Sequence, residues 1–119
     1  MVDPLLSPLR IAIITGEESG DILGADLLAE LAKAMPGGLE LIGVGGPHLA
    51  GQGLKTLFDP SEIALMGFGA IITRLPRLIG LIGKTARDII AFKPDVLIII
   101  DAPEFTHRVA RKVRAALPG

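Results

Sequence analysis

The chain contains no cysteine, no tryptophan and no tyrosine, and only four phenylalanines. Without cysteine there is no disulfide, no thiol nucleophile and no cysteine-ligated zinc. With so few aromatic rings there is no platform on which nucleic-acid bases could stack. An excess charge of one sign is also missing. Twelve Lys and Arg stand against thirteen Asp and Glu, for a net charge of −1. No basic field predicts a nucleic-acid partner. A long apolar run is absent as well. Met1–Leu9 carries Asp3 and two prolines, unlike a secretory signal. The charge-free stretch Ile63–Thr73 is far below the roughly 20 residues a membrane-spanning helix needs. Any membrane role is therefore expected to be peripheral.

What is abundant is aliphatic. Half of the 119 residues are hydrophobic and mean hydropathy is +0.56, while fifteen glycines and nine prolines break the chain into short elements. The length suits one domain with one core. The most informative segment is Val96–Glu104, where an unbroken run of aliphatic residues stops at Asp101 and is followed by Ala102-Pro103-Glu104. Such a run reads as a strand buried on both faces, as in a parallel sheet. Asp101 then lies at the strand's carboxyl end, where open α/β sheets bind their ligands.

The remaining pattern agrees. Arg10–Ile14 reads as a first strand. Leu23, Leu27, Leu31 and Met35, with Leu28 and Ala32 beside them, predict one packed face of a first helix, capped by Ser19 or Asp21 and ended by Pro36-Gly37-Gly38. Leu39–Val44 reads as a second strand, Pro47–Gly51 as a short helical turn and Leu54–Phe58 as a short third strand. Asp59-Pro60-Ser61-Glu62 opens a helical segment, and Met66–Ile72 is apolar but glycine-broken. A longer helix is expected from Pro76 to about Phe92, with Leu78, Ile79, Ile82, Ala86, Ile89 and Ile90 inward. A last helix near Glu104–Leu117 turns Val109, Val113 and Ala116 inward and Arg108, Arg111, Lys112 and Arg114 outward. The expected fold is α/β, a parallel Rossmann-like sheet with helices on both faces. A doubly wound half continues with further strand–helix units, so the chain reads as incomplete, a single amino-terminal domain over residues 1–119.

The loop Gly16-Glu17-Glu18-Ser19-Gly20-Asp21 matches neither the dinucleotide nor the phosphate-loop glycine pattern. Three carboxylates at a helix start repel phosphate and suit sugar hydroxyls or a divalent cation better. The plainer reading is helix capping by Ser19 and Asp21, with the acids favoured by the helix dipole. Asp101 is the candidate general base, able to take a proton from an alcohol within hydrogen-bond reach. Glu104 fits the first turn of the last helix. His48 and His107 share no ligand spacing and read as surface residues. Met66–Gly83 joins exposed-looking aliphatics to Arg74, Arg77 and Lys84, a composition suited to a membrane interface, although Pro76–Phe92 alone fits an ordinary sheet-packed helix.

Gly16-Glu17-Glu18-Ser19-Gly20-Asp21-Ile22-Leu23-Gly24 resembles the amino-terminal signature of the lipid-A-disaccharide synthase family. Gly43-Val44-Gly45-Gly46-Pro47, Ala64-Leu65-Met66-Gly67-Phe68, and Lys93-Pro94-Asp95 through Asp101-Ala102-Pro103-Glu104-Phe105 match in the same order. Thr106 stands where the family usually has Asn. The resemblance implies the amino-terminal, acceptor-side half of a two-domain GT-B inverting glycosyltransferase, with a UDP-binding domain absent from this chain. Such an enzyme joins UDP-diacylglucosamine to diacylglucosamine 1-phosphate, at the cytoplasmic face of the bacterial inner membrane, without a cofactor or metal. It implies Asp101 as base and Glu17, Ser19, Gly20, Asp21, Met66, Gly67, Phe68 and Glu104 as substrate-binding, with Met66–Ile72 and the following basic helix meeting lipid. The isolated chain is expected to be inactive and its oligomeric state is open. Two other classes compete: a phospho-receiver signalling domain, which also clusters acids after its first strand but needs a lysine after a fifth, and a non-catalytic lipid-binding module.

Overall fold

The computed structural model describes residues 7–60, 71–101 and 103–117, with 71–75, 103 and 104 described by their backbone alone. Three strands, β1 (Leu9–Ile14), β2 (Leu39–Val44) and β3 (Val96–Ile99), form a parallel sheet in the order β2-β1-β3. Ile11 pairs with Leu41 on one side and with Val96 on the other. The helices are α1 (Glu18–Ala34), α2 (Pro47–Ala50), α3 (Ile71–Phe92) and α4 (Pro103–Ala116). Because strand side chains alternate between faces, β1 feeds two cores. Ile11 and Ile13 pack with Ala25, Leu28, Leu49 and Leu54 on the α1–α2 side. Ala12 and Ile14 pack with Ile82, Ala86, Ile89, Phe105, Val109 and Val113 on the α3–α4 side. The α/β parallel sheet with helices on both faces is the fold the sequence predicts.

Several details differ from the sequence pattern. The strand buried on both faces is β1, whose Ile11–Ile14 are fully enclosed; β3 pairs only with β1 among the described residues, and its Val96 is 44% exposed. Leu54–Phe58 is not a strand. Its Leu57 N–H donates to the Gly43 carbonyl (2.8 Å), but the N–H of Gly45, just past β2, donates to the Thr56 hydroxyl (3.1 Å). A side chain satisfies the donor a ladder would have used, so the pairing stops after one bond. Helix α3 is already formed at Ile71, upstream of Pro76, which lies inside it. The cost is one missing bond to the Ile72 carbonyl, near the start of a long helix. Ile79 faces out, 61% exposed, and Ala116 is exposed as well.

The largest departure is the orientation of α1. Its buried residues are Gly20, Asp21, Gly24, Ala25 and Leu28, while Leu23 is 61% exposed and Leu27 also faces solvent. Small residues let the helix axis approach the sheet: a Cβ on Gly24 would lie 3.1 Å from Ile13 Cδ1. Only Leu28 and Leu31 of the predicted leucine face pack against the core. This orientation sets the cost of truncation. Leu28→Ala is expected to lower unfolding free energy by about 2–5 kcal/mol, and Leu23→Ala by no more than about 0.5. Denaturant unfolding of the two variants checks this, and equal costs would contradict the orientation.

Candidate active site

The connection β1–α1–β2 lies on one face of the sheet and the connection through α3 to β3 on the other, so the chain reverses its winding between β1 and β3. The carboxyl ends of these two strands form the crevice in which doubly wound sheets hold ligands. Asp101 follows β3 there, and Gly16–Ser19 follows β1. The Gly16 N–H donates to Asp101 Oδ1 (2.6 Å) and the Glu17 N–H to Oδ2 (3.3 Å). Glu17 is the N-cap residue of α1, so the carboxylate sits against the positive end of that helix.

Gly20 makes this contact possible. A Cβ there would fall 1.9 Å from Asp101 Oδ2. The backbone of Asp101 has φ +56°, the left-handed region that aspartate enters more readily than most residues. Its carbonyl accepts the hydroxyl of buried Thr106 (3.1 Å). Thr106 thus helps hold the turn carrying Asp101. Pro103 begins α4, where its missing N–H costs nothing.

Asp101 is half-buried and its pKa is raised above the ordinary 3.8. Burial is the largest cause; the Gly16 and Glu17 amides pull the other way, and the Glu17 carboxylate adds repulsion. A carboxylate has more lone pairs than these two amides occupy. Asp101 therefore has the reach and the raised basicity of a proton acceptor for a hydroxyl entering the crevice.

Asp21 has a different place from the one expected. Helix α1 has no side-chain cap hydrogen bond. Asp21 is 2% exposed and accepts the N–H groups of Gly46 (2.8 Å), His48 (2.8 Å) and Leu49 (3.1 Å), so it caps α2 across the gap between β1 and β2. Glu17, Glu18 and Ser19 are exposed at the mouth. Met66, Gly67 and Phe68 lie outside the described residues, and of Glu104 only the helical backbone is described. His48 and His107 are exposed, as the spacing suggested. The part played by Thr106 was not foreseen; a hydroxyl five residues after a strand-end aspartate was the available signal. No group of three or more potential metal-binding side chains occurs among the described residues.

A parallel sheet with a gripped carboxylate at its winding reversal marks the doubly wound α/β class, whose members hold their ligands at the strand ends. The chain belongs to the lipid-A-disaccharide synthetase family, whose model matches residues 11–119. It is 46% identical over 109 residues to the lipid-A-disaccharide synthase of Bradyrhizobium diazoefficiens, covering 92% of this chain and 28% of that protein. The corresponding enzyme of Nitrobacter hamburgensis is 46% identical over 112 residues, covering 94% and 28%. That of Xanthomonas oryzae pv. oryzae is 47% identical over 104 residues, covering 87% and 24%. The chain thus spans about a quarter of the length of these curated relatives. Family membership closes the phospho-receiver alternative.

The three amides on Asp21 predict a structural role. Asp21→Ala leaves buried N–H groups without an acceptor and is expected to cost about 2–3 kcal/mol in unfolding free energy. Asp26→Ala, on the exposed side of the same helix, is expected to be nearly neutral. A stable Asp21→Ala protein would show that water or another group replaces the carboxylate.

Proposed function

We propose that this chain is the acceptor-side part of an inverting glycosyltransferase of lipid A biosynthesis. The reaction joins UDP-diacylglucosamine to diacylglucosamine 1-phosphate and releases UDP. The acceptor's primary hydroxyl attacks the anomeric carbon, the carbon–oxygen bond to UDP breaks, and the hydroxyl proton passes to Asp101. Inversion follows because the attacking oxygen enters opposite the leaving group. The observation that carries this reading is the Asp101 carboxylate, held by the Gly16 and Glu17 amides at the winding reversal with its pKa raised by burial.

Glu17 and Ser19, exposed at the mouth, are assigned to the sugar hydroxyls. Gly20 supplies clearance for Asp101. Asp21 acts one step removed, by tying the loop after β2 to α1. Met66, Gly67, Phe68 and Glu104 are assigned to substrate on the family resemblance. UDP is assigned, on the family resemblance, to a second domain outside residues 1–119. No helix among the described residues is long and apolar enough to cross a membrane. The lipid substrates place the work at a membrane surface, proposed to be the cytoplasmic face of the bacterial inner membrane, reached peripherally through Met66–Ile72 and the basic helix behind it.

The test is Asp101→Asn in the full-length enzyme. Turnover is expected to fall by about 100-fold or more with the fold unchanged. Near-normal turnover would remove Asp101 from the base role. The pH profile gives a second test. A base works deprotonated, and a raised pKa moves the acid limb upward. The acid limb of kcat/KM is therefore expected above the ordinary aspartate range, and absent from the residual activity of Asp101→Asn.

A further inference from the structure

On the α3–α4 side, away from Asp101, a groove of about 590 Å³ runs between the two helices. Its walls are Arg87 from α3 and Arg108, Arg111 and Lys112 from α4. Its floor and rim are Ile79, Gly80, Ile82 and Gly83. No acid lines it. Among the described residues no carboxylate lies within 4 Å of Arg87, Arg111 or Lys112. Cations from two helices converge on one concavity in a chain whose net charge is −1.

At 1.5 Å per residue, Arg108–Lys112 sit about 8–14 Å down α4 from its start beside Asp101. The groove is therefore separate from the crevice. Guanidinium forks match phosphate oxygens two at a time, and an added ammonium contributes a point charge. The groove also has an apolar lip. Ile79 is 61% exposed, a Cβ on Gly80 would meet nothing within 4 Å, and one on Gly83 would meet only Arg87. Phosphate-binding walls beside a flat apolar shelf fit an amphiphile better than a free anion. The groove offers no aromatic ring for a base.

We infer that the α3–α4 groove binds the phosphate of an anionic membrane lipid, with Ile79 against the first methylenes of its chains. This rests on the reading of the protein as one that works at a membrane surface, and it assigns part of that contact to side chains outside Met66–Ile72.

The test is sedimentation of the protein with phosphatidylcholine vesicles, with and without phosphatidylglycerol, at low and high salt. Arg87→Gln combined with Arg111→Gln and Lys112→Gln is expected to weaken binding to the anionic vesicles by about 100-fold and to flatten its salt dependence. Arg114→Gln, whose side chain lines the separate concavity beside β3, is expected to change it only a few-fold. Ile79→Ser is expected to weaken the binding that survives high salt. All five positions are exposed, and circular dichroism checks that the fold is kept. Anionic-vesicle binding by the triple variant equal to that of the parent overturns the inference. So does displacement of the parent by millimolar inorganic phosphate, which would mark a site for soluble phosphate. If the parent itself ignores anionic vesicles, the membrane reading fails with the groove. Sugar transfer to detergent-solubilised acceptor is measured separately and stands or falls on Asp101.

Discussion

The contact between the Asp101 carboxylate and the amides of Gly16 and Glu17 fixes the geometry of the strand ends. It joins Asp101, just past β3, to the residues after β1, across the place where the described chain reverses its winding. Three other features serve it. Gly20 removes the side chain that would collide with Oδ2. The left-handed backbone of Asp101 turns the carboxylate toward the loop. Thr106 holds that turn through the Asp101 carbonyl. Desolvation outweighs the two amides, so the group stays more basic than a surface aspartate. Amides that position a carboxylate need not acidify it when burial opposes them.

A second carboxylate performs the structural task that the first leaves undone. Asp21, one residue beyond Gly20, takes three amides from the start of α2 and is almost fully enclosed. Charged acceptors make the stronger hydrogen bonds, and a buried one must be fully paired. The acidic loop thus divides by burial. Asp21 is consumed in joining α1 to the β2–α2 turn, whereas Glu17, Glu18 and Ser19 stay open to the crevice. Neighbouring acids in one motif have unlike roles because successive helix positions point in different directions.

The sequence shows much of this directly. The aliphatic run ending at Asp101, the glycine-rich acidic loop and the alternation of short strands with helices are enough for the sheet, its helices and the location of Asp101. What misleads is α1. Leucines every four residues imitate a buried stripe, yet Gly20, Gly24, Ala25 and Leu28 form the face that touches the sheet. A hydropathy pattern counts apolar surface, while close helix–sheet packing rewards small side chains. Gly24 against Ile13 Cδ1 shows the difference. Leu54–Phe58 misleads for another reason: its strand-like composition is real, but the Thr56 hydroxyl ends the ladder. The caps were beyond reach because Asp21 bonds to residues 25 to 28 positions away, and no local pattern encodes a partner at that distance.

Charge is segregated in a way that the near-zero total conceals. Glu17, Glu18, Asp21 and Asp101 gather at the strand ends, whereas Arg87, Arg108, Arg111 and Lys112 gather between α3 and α4. An acidic crevice disfavours phosphate close to Asp101 and favours neutral hydroxyls there, since like charges repel across a partly desolvated site. The cationic groove does the reverse about 8–14 Å down α4. The crevice thus suits neutral hydroxyls, and the groove suits an anionic headgroup. The two regions select different chemistry by where the two kinds of charge are kept apart, before any specific contact is made.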